Sequence, residues 1–457
     1  MENLHMTAQD YGFKLLCFQA LDFNTFKEDH YSIGEMNIFN LINYDMLDAM
    51  IILCSTLSAS PVMQTIIRNS QLAGIPVVCY DANTESCINI SFEQGTATYD
   101  MVDHFITKHH HDRLCFMTSW LGEVYGDQRL KAYQQALADH GIAYDETRVF
   151  EGLYSRETAI EQTQKILALD PLPQAIICAN DTMAIGVIKV LNDHGMRCPE
   201  DICVSGFDGI IEGRNHIPQL TTVIPNFAEG ARNAIALLND YFTTGECAQL
   251  RAFSSYINYS ESCGCRTLPP RSFNDLCHSL YYEVDNMKVN SRHLIQSSAT
   301  ITGSPDMQTA FARLREEISS SWTKKLWVCI TENFFAESSF VNGTVKSGQY
   351  YINGFSDNMR VIAFKHYDTC TDGAEFPTKT MLPDLFSQFD DTSFITFLPL
   401  HIGEHTIGYM AFEISDHFDL FDYWYSLSMN IASSLSILKT QYELRNFIAH
   451  SGEYVYP

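Results

Sequence analysis

Positive charge is scarce in this chain. Of its 457 residues, 29 are Lys or Arg against 55 Asp or Glu, a formal charge of −26. A surplus of anions on that scale opposes broad attraction to phosphate backbones, so direct contact with nucleic acid is not expected from this chain. Long apolar runs are missing as well, and none approaches the length of a membrane span. The opening MENLHMTAQDYGFK lacks the basic end, apolar middle and cleavage site of a signal peptide, which predicts a cytoplasmic protein. No nucleophile with a base, no metal-ligand set and no phosphate-cradling loop is discernible, which argues against a self-contained enzyme and predicts no cofactor and no metal. The 14 Cys are scattered, many inside apolar runs such as those holding Cys17, Cys54, Cys79, Cys115, Cys178 and Cys203. There they read as small buried hydrophobes with reduced thiols.

What is present is length and alternation. A chain of 457 residues can hold two or three domains, each with its own core. The richest stretch is Ala179 to Gly209, ANDTMAIGVIKVLNDHGMRCPEDICVSGFDG. Gln174 to Ala179 reads as a buried strand, and Asn180 or Asp181 can cap the helix that follows. That helix has a broad apolar face of Met183, Ile185, Val187, Ile188, Val190 and Leu191. Pro199 breaks the chain, and a second buried strand ends at Asp208. Polar groups just beyond the ends of parallel strands are the usual lining of a small-molecule crevice. Strand candidates at Phe13 to Phe18, Ala49 to Cys54, Ile75 to Tyr80, Arg113 to Thr118, Gln174 to Ala179 and Asp201 to Gly206 alternate with helical patterns, the clearest at Pro61 to Ala73, Glu93 to Lys108 and Tyr125 to His140. Such alternation predicts an α/β protein with a doubly wound parallel sheet.

The pattern Asn-Asp, Ala-x-Gly, Gly, Pro, Asp-Ile, Val, Gly-Phe-Asp resembles the ligand-binding core of the LacI/GalR repressors, which is related to periplasmic sugar-binding proteins. Asp127 to Gly141 (DQRLKAYQQALADHG) resembles the family's Arg-x-x-Gly-aromatic segment, with Ala132 in place of the glycine, and Leu220-Thr221-Thr222-Val223 matches the start of its return crossover. The resemblance covers residues 1 to about 265. It implies two lobes of doubly wound sheet, a type I periplasmic-binding-protein-like fold. It also implies a first strand, ahead of the helix at Met1 to Tyr11, that is missing here, as are the family's helix-turn-helix and hinge helix. The start is therefore read as truncated or misassigned, or the first lobe as rearranged.

Carried over position by position, the resemblance makes Arg129 the arginine that forks onto sugar hydroxyls or a carboxylate, with Asn180 and Asp208 as polar partners. The alternative for Arg129 and Asp208 is an ion pair at the cleft edge. Asp181 is read chiefly as a helix cap and also as a ligand contact. Trp120 and Tyr125, with Phe207, suit stacking on a ring or packing in the core or at a rim. Ser91-Phe92 departs from the family's Asp-Asn, so the ligand need not be a simple sugar. His109-His110-His111 reads as a solvated loop without a Cys or acidic partner at ligand spacing. Cys263-Gly264-Cys265 lacks a second pair with zinc spacing and marks the end of a domain.

Thr267 to Arg271 reads as a stiff linker. Beyond it lie helical patterns at Phe273 to Ser298 and Asp306 to Ser321, strands at Leu326 to Thr331 and Val361 to His366, and a hairpin from Phe394 to Ile414 around Gly403-Glu404. Ile407 to Glu413 is similar to the closing strands of GAF domains. Tyr423 to Ile448 carries Trp424, Leu427, Ile431, Leu435, Leu438 and Tyr442 at three- and four-residue spacings, which suits a helix that packs on its own domain and pairs with a second chain. The expected plan is a ligand-binding domain (1–265), a linker (266–272), an α+β GAF-like domain (273–422) and a terminal dimerisation helix and tail (423–457). The expected function is a dimeric regulator that senses a small, sugar-like molecule without catalysis. Its alternative is the input part of a signalling enzyme such as a GGDEF cyclase. A transport solute-binding protein is disfavoured.

Overall fold

The structure is a computed structural model that describes residues 1–20, 30–57, 61–81, 84, 87–92, 94–120, 122–245, 250–265, 273–321, 323–335, 339–341, 344–346, 353–389, 394–414 and 421–451. The expected linker falls outside them. The chain forms two compact units, one of residues 1–89, 234–249 and 278–457 and the other of residues 90–233 and 250–277.

The second unit is the parallel α/β sheet that the alternation predicts. Its strands run in the order Ser255–Asn258, Thr221–Pro225, Cys203–Phe207, Ala175–Cys178, Leu114–Thr118, Val149–Glu151. All pairs are parallel except the first. Register is continuous through the middle, with Phe116 beside Ile177, Ile177 beside Ser205 and Ser205 beside Thr221. The central strands are buried along their whole length, as unbroken apolar runs require when helices cover both faces. Helix Gln94–Thr107 packs beside Val124–Asp139, and Arg156–Ile166 beside Asp181–Asp193.

In the first unit, Met50–Leu53 and Val77–Tyr80 pair in parallel, and helix Pro61–Leu72 connects them. The expected strand at Phe13 to Phe18 is observed as Leu15–Phe18 but does not join them. It lies parallel to Phe394–Phe397, at the edge of the C-terminal sheet. The reason is visible in its alternation: Leu15 and Cys17 pack into the core on one face of that sheet and Leu16 and Phe18 into the core on the other. Phe18 stacks on Phe397 at 4.8 Å. The ladder gives the strand's backbone groups the partners they need. A cavity of about 530 Å³, lined by Leu16, Phe18, Phe39, Ile51, Leu53 and Phe389 among others, separates Leu15–Phe18 from Met50–Leu53. Leu15–Phe18 thus belongs to the C-terminal sheet and not to the doubly wound sheet expected of the first lobe.

The C-terminal sheet continues from Phe394–Ile402 through His405–Ile414, Lys325–Thr331 and Asn358–His366 to Thr369–Thr371, all antiparallel. The hairpin turns at Gly403, whose φ of 54° is of the left-handed kind that favours glycine. On one face lie helices Met307–Ser319 and Phe421–Ser451, contributing Leu314, Trp424, Leu427, Ile431 and Leu435 to the core. The other face is closed by Ile38, Leu41, Met381, Leu382 and Leu385. An N-terminal helix, His30–Met36, is pinned here through Glu35. Its fully buried carboxylate lies 2.9 Å from His401 Nε2 and accepts the Tyr425 hydroxyl at 2.6 Å. No described helix is long and apolar enough to cross a membrane.

Candidate ligand-binding site

Two adjacent strands of the parallel sheet deliver polar residues at their carboxyl ends. After Ala175–Cys178 comes Asn180, whose Oδ1 accepts the Met183 N–H at 2.9 Å and so caps helix Asp181–Asp193. Asn180 Nδ2 donates to the Tyr154 carbonyl at 3.3 Å. Asp181 is therefore not the cap. It sits in the first turn, fully buried, and accepts Thr222 Oγ1–H at 2.6 Å and the Ile210 N–H at 2.8 Å. Burial pushes its carboxyl up to about 7, against the pull of those two bonds and with a further push from Asp208. Gly206 makes room for it, since a Cβ there would lie 2.1 Å from Asp181 Oδ1. Asp208, half-buried after Cys203–Phe207, has a φ of 104°, a strained backbone of the sort found at functional turns.

Arg129 projects from helix Val124–Asp139 and is buried. Its Nε and Nη2 donate to Gln94 Oε1 at 2.9 and 2.6 Å, and Nη1 donates to the Ala179 carbonyl. The guanidinium lies 3.7 Å from the centre of the Phe207 ring, a favourable seat for a cation over an aromatic face. These bonds commit three of its five N–H donors within the fold and none of the three to Asp208. Trp120 meets Tyr154 edge-on at 6.1 Å. Tyr125 is half-buried in the first turn of its helix, its N–H bonded to Glu123 Oε1 at 3.0 Å.

Arg129, Asn180 and Trp120 are thus tied into one network through Ala179, Tyr154 and Phe207, with Asp181 and Asp208 beside it. Three members escaped the sequence reading. Gln94 lies two residues beyond Ser91-Phe92, the pair that departs from the family pattern, and it holds Arg129. Glu123 accepts four bonds, from Tyr125 N–H, Gly126 N–H, Ser119 Oγ and Tyr154 Oη at 2.6 to 3.1 Å. A helix-capping glutamate carries no strong local signal. Tyr154 lies in a loop with φ 54°. Burial raises its phenol, so the hydroxyl stays protonated and donates to Glu123.

A second cluster corrects two expectations. His109 is not in a solvated loop without partners, and Cys263 and Cys265 do not stand alone: His104, His109, Cys263 and Cys265 bring one donor atom each to within 4.8 Å of one another. Burial, then the neighbouring His109, holds His104 down to about 4.

Residues 102–251 match the model of a periplasmic binding protein-like domain. The chain is 29% identical over 197 residues to the HTH-type transcriptional repressor PurR of Vibrio atlanticus (strain LGP32), covering 42% of this chain and 57% of that protein. It is 31% identical over 175 residues to PurR of Pasteurella multocida (strain Pm70), covering 37% and 51%. A solved structure, the transcription regulator CcpA of Lactococcus lactis, is 20% identical with a TM-score of 0.48, over 57% of this chain and 92% of that one. The chain spans little more than half the length of the two PurR proteins. Together with the parallel sheet, the domain match and the PurR matches establish that the chain contains a periplasmic-binding-protein-like domain similar to that of LacI/GalR-type repressors.

Proposed function

We propose that this protein is a non-catalytic regulator of the LacI/GalR type, in which a small polar ligand is sensed at the strand ends of the parallel sheet and the response serves transcription regulation. The observation that carries the reading is the network around Arg129, Asn180 and Asp208 at the place where α/β sheets bind ligands. Asp208 and the remaining donors of Arg129 and Asn180 fix the ligand's pattern, Trp120 and Tyr125 flank it, and Asp181 acts from beneath by holding the Ile210 turn. The ligand is sugar-like in its hydroxyl pattern, and the setting is the cytoplasm. The domain plan is a binding domain over 1–265, of which Leu15–Phe18 and helix His30–Met36 dock on the C-terminal sheet, a linker over 266–272, a GAF-like domain over 273–422 and a terminal dimerisation helix and tail over 423–457. The GAF-like reading rests on an antiparallel sheet whose last strand pairs beside its first, with helices against one face. The acidic charge keeps this chain itself off DNA.

A thermal-shift panel of sugars, sugar acids and nucleosides tests the reading. At least one class should raise the midpoint of the wild type and leave Asp208→Asn, which tolerates the positive φ, unmoved. A panel with no shift, or shifts of equal size in both proteins, refutes it.

A further inference from the structure

We propose that His104, His109, Cys263 and Cys265 form a structural zinc site in the periplasmic-binding-protein-like domain.

The geometry is that of a coordination shell. His104 Nε2 and His109 Nε2 lie 3.1 Å apart, and Cys265 Sγ lies 3.1 Å from one and 3.2 Å from the other. Three donor atoms at mutual contact cannot all be served by hydrogen bonds, because one proton points along one edge of the triangle at a time. A single cation at the centre serves them all. Zinc bonds of about 2.0–2.1 Å to nitrogen and 2.3 Å to sulfur place tetrahedral ligands about 3.3–3.8 Å apart, close to the spacing found. Cys263 Sγ supplies the fourth corner. Two imidazoles and two thiolates are a set that zinc favours over hard, oxygen-seeking cations. Two thiolates also cancel the charge of the ion in a region that is partly buried.

The backbone is arranged for the purpose. His104 stands in the last turn of helix Gln94–Thr107, and His109 follows just beyond it. Cys263 ends a short 3-10 turn, and Gly264, with a φ of 84°, reverses the chain so that both thiols face the same point. The site has four protein ligands and no open position, which marks it as structural. It would staple Cys263–Cys265, the last described residues before 273, to the end of a helix about 155 residues earlier. The turn at Cys263–Cys265 would then be fixed to that helix end by metal and released by its loss.

The test is the metal content of the full chain, purified without an affinity tag in the presence of a reductant and analysed by inductively coupled plasma mass spectrometry. The expected result is one zinc per chain, falling roughly tenfold or more in Cys265→Ser and in His109→Asn. The neighbouring His110→Asn and the distant Cys370→Ser should keep theirs. Cobalt exchange provides a readout without substitution, with tetrahedral ligand-field bands and thiolate charge-transfer absorption expected even if a variant folds poorly. Wild type that takes up neither zinc nor cobalt overturns the proposal. So does zinc retained by both ligand variants, or an intact mass that shows Cys263 and Cys265 joined as a disulfide under reductant. None of these outcomes depends on whether the sensed ligand is found.

Discussion

Asp181 is a buried carboxyl held at about 7 instead of near 3.8. A raised acid means that the native state keeps its proton where the unfolded chain has already lost it. Stability from this residue is therefore fully present below about pH 4 and is lost as the pH climbs to about 7, at a limiting slope on the order of 1.4 kcal/mol per pH unit. Asp181→Asn keeps an oxygen to accept the Ile210 N–H, turns its other terminal atom into a donor toward Thr222 Oγ1, and cannot ionise. The difference in unfolding free energy between this variant and the wild type should grow between pH 4 and 7 and level off above it. Denaturant titrations at several pH values would expose a constant difference, which contradicts the assignment. Asn180, by contrast, spends its side chain on the helix cap and the Tyr154 carbonyl. Asn180→Ala should cost about 1 kcal/mol of stability as well as weaken binding.

At the scale of elements, the docking of the N-terminal segment on the C-terminal sheet depends on helix His30–Met36. Gly34 is the tightest point, since a Cβ there would lie 2.1 Å from both the Gly403 carbonyl and His401 Nδ1. Glu35→Ala would leave Nε2 of the fully buried His401 without its partner, a loss that costs about 1–3 kcal/mol, while the half-buried Tyr425 hydroxyl keeps Tyr31. Hydrogen exchange of Glu35→Ala and Gly34→Ala should show protection lost at Leu15–Phe18 and unchanged at Leu114–Thr118. Equal loss in both strands would refute the account. Strands such as Gln174 to Ala179 were legible because an unbroken apolar run, a capping residue and an amphipathic helix are local signals. The partner of Leu15–Phe18 was not legible, because LLCF satisfies any sheet with two apolar faces and its partner lies almost 380 residues away. The His/Cys cluster was hidden in the same way. Each half is an ordinary dipeptide-scale feature, and only folding brings residues 156 apart, His109 and Cys265, to 3.1 Å.

On the scale of the whole molecule, helix Phe421–Ser451 is two-natured. Trp424, Leu427, Ile431, Leu435 and Leu438 are buried in its own domain, whereas Ile437 and Leu444, seven residues apart on one face, are 48% and 56% exposed. Helix Phe273–Thr302 exposes Val284, Met287 and Ile295 as well. Large apolar side chains at that spacing favour pairing with a second copy. Light scattering should find a dimer that Ile437→Glu with Leu444→Glu converts to monomer while the far-ultraviolet spectrum holds. A monomeric wild type would exclude this role.

The central claim is that a small molecule binds against Asp208 at the ends of the parallel strands. Isothermal titration of the compound that most stabilises the wild type addresses it directly. The account predicts one equivalent bound per chain and an affinity at least about tenfold weaker, about 1.4 kcal/mol, in Asp208→Asn. Equal affinity in the two proteins would contradict it.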